Sequence, residues 1–406
     1  MPDFLAEAQA IAPEITQLRH ELHAHPEVGI DLPWTQGRVL QALAGLDLEV
    51  TTGTKLTSVT AVLRGGAATG TVADRPVVLL RGDMDGLPVT ETTGMEFAST
   101  IGTMHACGHD LHASALVGAA RLLHAHRDDL PGDVVFMFQP GEEIFQGARL
   151  MIEEGVLSAA GKPADRAFAL HVMSAKFPSG QFASRPGTIM AGCDYLRADI
   201  IGKGGHGSAP HLSNDPVPVM AEILTALQVL ATKKFDVFDP VVINTGIANA
   251  GQATNVIPEK CRIEAAIRTF SMENRQKMEV LTKQLVENIC AAHGMTANVV
   301  WDPGTPPTLC DPEMAAFAFK QMDAIVGADR YYEMPLPLTG SEDFAAVLAQ
   351  VPGAFVFYSG VRDGADHETA PYNHAPNAWF DDRMIPEATA LLAQLGYESL
   401  RELAAS

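Results

Sequence analysis

Val77-Val78-Leu79-Leu80-Arg81-Gly82-Asp83-Met84-Asp85-Gly86 opens with four apolar residues and closes on two carboxylates and a glycine. The apolar run predicts a short buried strand, and the acidic tail falls just past it. Further along, Met104-His105-Ala106-Cys107-Gly108-His109-Asp110-Leu111-His112 packs three histidines and a cysteine ahead of an apolar stretch predicted as a helix over 111–124. A thiolate and an imidazole two residues apart suit a borderline-soft cation such as zinc. Nearby carboxylates widen the choice to manganese or cobalt. A lone Cys-x-His also occurs in solvated loops, so its weight depends on the rest of the chain.

Outward from these segments, strands alternate with helices. Strands are predicted at 59–63, 134–138, 167–172 and 354–358. Helices are predicted at 5–22 (stopped by Pro26), 35–46, 147–154, 313–325, 343–350 and 386–403. This alternation predicts an α/β domain with a central, largely parallel sheet flanked by helices. Ligands of such sheets sit beyond the carboxyl ends of the strands. Asp83 and Asp85, Glu142 and Glu143, and His171 fall at or just after such ends. His20, His23 and His25 fall at the polar end of the first helix and are expected on the surface.

The pattern changes after about residue 190. A strand at 195–201 runs into the glycine-rich turn Gly202-Lys203-Gly204-Gly205-His206-Gly207. A helix at 216–232, strands at 241–248 and 261–270, a helix at 273–292 and a strand at 296–301 follow. This order predicts a ferredoxin-like α+β domain inserted as residues 191–302 into a domain formed by 1–190 and 303–406. The turn-rich stretch 302–307 marks the return.

The bulk properties agree with two soluble domains: 406 residues, 47% of them hydrophobic, with a mean hydropathy near zero. The net charge, 28 − 49 = −21, argues against nucleic acids and anionic membranes as partners. Five scattered cysteines do not read as a disulfide framework. Met1-Pro2-Asp3-Phe4 has neither the basic nor the apolar region of a secretory signal. No apolar run approaches the roughly 18 residues of a membrane span. A cytoplasmic location is expected.

The candidate ligands are Asp83, Asp85, Cys107, His109, Glu142, Glu143, His171 and His374. One cation would use a few of them, and two cations sharing a bridging ligand would use more. Glu142 and Glu143 are the most telling pair. Adjacent residues of a strand point to opposite faces, so both reach one centre only at a turn, which Pro140-Gly141 supplies. One carboxylate then binds metal while the other serves as a base. The competing reading is an exposed acidic turn.

Six segments, in this order, resemble one known family. They are Arg81-Gly82-Asp83-Met84-Asp85-Gly86-Leu87-Pro88, Met104-His105-Ala106-Cys107-Gly108-His109-Asp110, Phe138-Gln139-Pro140-Gly141-Glu142-Glu143, Leu170-His171-Val172, Gly340-Ser341-Glu342-Asp343-Phe344 and Asn373-His374-Ala375-Pro376. The chain resembles the M20 metallopeptidases, and within them the amidohydrolases of N-acyl amino acids: hippurate hydrolases, aminoacylase-like enzymes and plant auxin-conjugate hydrolases. The cysteine of Cys-Gly-His marks that branch, where many relatives have a bridging aspartate.

The resemblance implies two divalent cations (zinc, manganese or cobalt) bridged by Cys107. His109, Glu143, His171 and His374 complete their shells. It implies Glu142 as general base, with Asp85 supporting a ligand. It also implies a lid and dimerisation role for the inserted domain, hence a homodimer. His206 reaches the substrate carbonyl, often from the partner subunit, and Asn255 and Arg268 lie near the substrate carboxylate. His112 is expected to support a ligand or lie on the surface, His105 is a spare candidate ligand, and Gly141 in place of a common alanine is expected to be harmless. The expected activity is hydrolysis of the amide bond of small N-acyl amino acids. Cleavage of small peptides is the alternative within the class, and a non-catalytic metal-binding protein is the alternative outside it.

Overall fold

In the computed structural model, Val77–Asp83 is buried at every residue. It pairs in parallel with Asp133–Gln139 on one side and Arg166–Met173 on the other, and both neighbours are equally buried. Strands covered on both faces are built from continuous apolar runs, as Val77–Leu80 and Val134–Phe138 are. The structure describes residues 2–405. Met1 and Ser406, which the expected domain bounds include, lie outside the described residues.

Two units divide the chain. The first comprises everything up to Ile189, Leu309–Leu336 and everything from Ala346 onward. Its sheet runs Glu49–Thr52, Val59–Leu63, Asp133–Gln139, Val77–Asp83, Arg166–Met173, Gly353–Ser359, Phe182–Ser184, Tyr331–Glu333. The central pairings are parallel, and Val59–Leu63 joins antiparallel. The helices Phe4–Ala24, His109–Ala125 and Ile385–Ala405 pack on one another, and the last two also cover Val77–Asp83. Glu49–Thr52, Phe182–Ser184 and Tyr331–Glu333 were not expected; each is only three or four residues long, too short to show a period. The helix expected at 343–350 is a single turn, Ala345–Leu348.

The second unit comprises Met190–Thr308 and Pro337–Ala345. Its antiparallel sheet has the order Val241–Ala250, Lys260–Thr269, Gly192–Ile201, Thr296–Thr305, which is the ferredoxin-like arrangement. Alternate residues of Lys260–Thr269 are buried. Cys261, Ile263, Ala265 and Ile267 share a core with Ile223 and Leu227 of the helix Pro216–Lys234 and with Met278 and Val286 of Met272–Ala292. Each large apolar side chain buried there contributes roughly 1.5–3 kcal/mol. The last strand extends past its expected end through a register shift between Asp302 and Thr305. A bulge at Pro303-Gly304 thus absorbs residues that composition marks as a turn. Pro337–Ala345 is held to this unit by bonds from Ala191 N to Leu338 O (3.0 Å) and from Thr305 Oγ1 to Glu342 O (3.0 Å).

Gly108 joins the fold to the site. It caps the N-terminus of His109–Ala125 with φ +83°, and a Cβ there would lie 2.2 Å from Val172 Cγ1. The left-handed backbone and the overlap together should make Gly108→Ala about 2–4 kcal/mol less stable, read as a lower urea midpoint. An unchanged midpoint would show that the helix start tolerates a side chain.

Candidate active site

Five segments of the first unit converge on one small volume. Cys107 Sγ lies 3.5 Å from His171 Nε2 and 3.3 Å from His374 Nε2. His374 Nε2 lies 3.3 Å from Glu143 Oε1, and His109 Nε2 lies 3.9 Å from that same oxygen. Glu142 Oε2 is 4.0 Å from His109 Nε2. The donor atoms of Cys107, His109 and His171 fall within 4.8 Å of one another, as do those of Cys107, Glu143 and His374, and those of His109, Glu142 and Glu143.

Hydrogen bonds aim these donors. His171 Nδ1 donates to Val172 O (2.8 Å), which leaves Nε2 bare toward Cys107. His109 Nδ1 faces Asp85 Oδ1 at 3.3 Å, which turns its Nε2 toward the carboxylates. Fixing one ring nitrogen in this way sets the tautomer of the other. Asp85 also accepts the backbone N–H groups of Glu142 and Glu143, each at 3.1 Å. One buried carboxylate therefore holds both the turn and the imidazole. The turn needs Gly141, whose φ is +74° and whose Cβ would lie 2.6 Å from Ile30 Cγ2. Glycine in place of the relatives' common alanine thus suits the turn as this chain builds it.

These residues fit a cation. His109 Nε2 and Glu143 Oε1 are sealed from solvent, and among the described residues neither is met in hydrogen-bond geometry. Bare buried polar atoms at this spacing belong to an ion site. The cluster also binds protons. Close contact with Cys107 and Glu143 holds the His374 imidazolium up at about 10. Burial alone would lower His109, but Asp83 and the bond to Asp85 outweigh it and raise it well above the usual histidine range. Burial leaves His171 well below that range. Ligation requires neutral imidazoles, so cation and proton compete here.

The other histidines take varied places. His112 is buried, not superficial: it bonds Asp83 Oδ1 through Nδ1 (2.6 Å) and accepts Val172 N–H at Nε2 (2.8 Å). Asp83 is shared between His112 and Arg81, with its other oxygen 3.6 Å from His109 Nε2. His105 joins no donor group; it is buried, and burial depresses it to about 4. His23 is fully buried between Asp110 (2.8 Å) and Glu91 (3.1 Å). Helix periodicity alone could not reveal those distant carboxylates. His25 alone of that trio is exposed.

In the second unit, His206 and Asn255 are neighbours. His206 pairs with Val256 in a two-residue ladder, and Gly207 N–H donates to Asn255 O at 2.9 Å. Arg268 lies elsewhere, its Nη1 donating to Thr339 O (2.8 Å) and Ser341 Oγ (3.0 Å). Lys260–Thr269 has ten residues rising ~3.3 Å each, so Arg268 stands roughly 26 Å along the strand from Lys260, its first residue, which follows the turn that bears Asn255. The resemblance places Asn255 and Arg268 at one substrate carboxylate; Asn255 precedes this strand and Arg268 is its ninth residue.

A cysteine sulfur, three imidazoles and two adjacent carboxylates gathered at the carboxyl ends of a parallel sheet define a metallohydrolase of the α/β class. Residues 79–398 match Peptidase family M20/M25/M40, and the chain belongs to that family. It is 35% identical to Thermostable carboxypeptidase 1 of Saccharolobus solfataricus over 91% of each chain. It is 34% identical to IAA-amino acid hydrolase ILR1-like 2 of Arabidopsis thaliana, covering 97% of this chain and 88% of that one. It is also 34% identical to N-acetyl-L-cysteine deacetylase of Bacillus subtilis, covering 96% and 88%. The crystal structure of the Bacillus subtilis YXEP protein, a dinuclear metal binding peptidase from the M20 family, matches with a TM-score of 0.80 at 30% identity, covering 97% of this chain and 99% of that one. The protein is thus a divalent-metal-dependent hydrolase of amide bonds. Among its described residues no helix is long and apolar enough to cross a membrane.

Proposed function

We propose that the substrates are N-acyl amino acids, cleaved to a carboxylic acid and a free amino acid. The observation that carries this reading is Glu142, a second carboxylate held beside the donor group by the turn that Asp85 fixes. A closed structural metal site has no use for such a base. Two relatives are named for acyl amino acids with different acyl groups, which makes the amino-acid part the common element. The carboxypeptidase relative keeps small peptides as the second reading, since a dipeptide offers the same amide and the same free carboxylate.

Cys107 would bridge two cations (zinc, manganese or cobalt), with His109, Glu143, His171 and His374 completing their shells. Bound there, the cations would polarise the scissile carbonyl and activate water near neutral pH. Glu142 takes the proton of the attacking water and returns it to the leaving amine. His206 meets the carbonyl oxygen as charge develops on it. Ser208 N–H donates to His206 Nδ1 at 3.2 Å, so the neutral ring carries its proton on Nε2 and can donate there. Arg268 offers a planar fork to the substrate carboxylate, a local cationic anchor in a chain of net charge −21.

The separation of Arg268 from Asn255 and His206 supports a homodimer in which one subunit supplies the arginine and its partner the other two. An N-acyl amino acid is too short to span both ends of the strand. The edge strand Val241–Ala250 is exposed at 246–250, open backbone that a second copy can cover. In this reading the first unit is the catalytic domain and the second the lid and dimerisation domain. Buried, unpaired cysteines suit a reducing compartment, in keeping with a cytoplasmic location.

Glu142→Gln should keep its metal and lose on the order of 10²-fold or more in turnover of N-acetyl amino acids. Near-normal turnover at full occupancy would remove Glu142 as the base. Arg268→Ala and Asn255→Ala should each be inactive alone. Mixed under subunit exchange, they should regain about a quarter of wild-type activity, because each hybrid dimer rebuilds one intact site. An exchanged mixture that stays inactive would place the whole site within one chain.

A further inference from the structure

Asn373 has no part in the assignments above, yet it precedes His374 and touches the segments that bear Cys107 and His171. Its Nδ2 donates to Val172 O (3.0 Å) and approaches Cys107 O (3.4 Å) and Cys107 Sγ (3.8 Å). Its Oδ1 accepts from Ser174 N (2.9 Å) and Ser174 Oγ (3.0 Å). These partners fix the amide orientation, because the flipped form would set oxygen against oxygen at Val172 and N–H against N–H at Ser174. Of the two Nδ2 protons, one serves Val172 O and the other is directed to Cys107.

Two further contacts make this amide a junction. Val172 O also accepts from Nδ1 of His171, whose Nε2 faces Cys107 Sγ. The next residue, His374, adopts φ +73°, rare for a residue with a side chain, and its N–H donates to Ala106 O at 2.8 Å. The left-handed turn and the Ala106 bond bring the His374 imidazole to 3.3 Å from the same sulfur.

We propose that Asn373 is a positioning residue whose amide donates to the Cys107 sulfur and locks the Cys107, His171 and His374 segments together, so setting how tightly the thiolate holds its cations. This rests on Cys107 being a metal ligand, as proposed above. An N–H directed at a thiolate withdraws charge from sulfur and fixes its direction. Hydrogen bonds to ligand atoms tune both affinity and electronic structure. Ser174 acts through Asn373 by holding its oxygen.

The test uses the full-length protein loaded with cobalt(II), whose bond to a thiolate gives a charge-transfer band in the near ultraviolet. Wild type should show the band. Asn373→Ala should shift it to lower energy, bind cobalt about 10- to 100-fold more weakly, and lower kcat with KM nearly unchanged. Asn373→Asp keeps the shape and the oxygen for Ser174 but lacks the N–H donors, and should show the same shift. Ser174→Ala should give a smaller shift in the same direction. A wild-type band that stays in place with unchanged cobalt affinity in both Asn373 variants overturns this inference and leaves Cys107 as a ligand. Absence of the band from wild type overturns both.

Discussion

Asp85 is the interaction on which the site depends. Burial raises this carboxyl above its usual range, and the structure offsets that cost with two backbone N–H groups and the ring of His109. Its two oxygens bridge a helix start and a strand end that are far apart in sequence. With it, Glu142 and Glu143 leave the strand together and His109 presents the correct nitrogen. Without it, adjacent carboxylates would diverge and the imidazole would be free to turn. Glycines stand on both sides of this junction because the chain must turn where no Cβ fits, at Gly108 toward Val172 and at Gly141 toward Ile30.

Around that junction the first unit stores negative charge and protons together. Asp83 would be raised by burial, yet Arg81, His109 and His112 bring it well below the usual carboxylate range. Such a cluster is costly when only protons compensate it. Divalent cations are the natural counter-charge, and the family's metal dependence follows from the same donor set. The second unit contributes a different chemistry. Its open sheet face carries arginines paired with acids, as in Arg197–Asp302 (2.9 Å) and Arg262–Asp199 (3.0 Å). Arg268 differs in bonding a carbonyl and a hydroxyl.

Much of this was legible in the sequence wherever a long period or a distinctive donor was present. The apolar runs before Asp83 and Gln139 gave the central strands, and the order of strands and helices after residue 190 gave the second domain. Donor type and strand ends put Cys107, His109, Glu143, His171 and His374 among a longer set of candidates, the family resemblance singled them out, and the structure brings their atoms together. Short edge strands carry no period and stayed hidden. The burial of His23 depends on Asp110 and Glu91, partners that only tertiary packing reveals. Asn373 escaped notice because an amide beside a histidine has no signature of its own.

The most direct measurement of the central claim compares an N-acetyl amino acid with the same compound amidated at its α-carboxylate, using protein stripped by a chelator and then reloaded with zinc, manganese or cobalt. The account predicts no turnover of either compound by the stripped protein. Reloading should restore turnover of the free acid and leave the amidated form poorly processed. Full activity after complete metal removal, or equal rates for the two compounds, would contradict it.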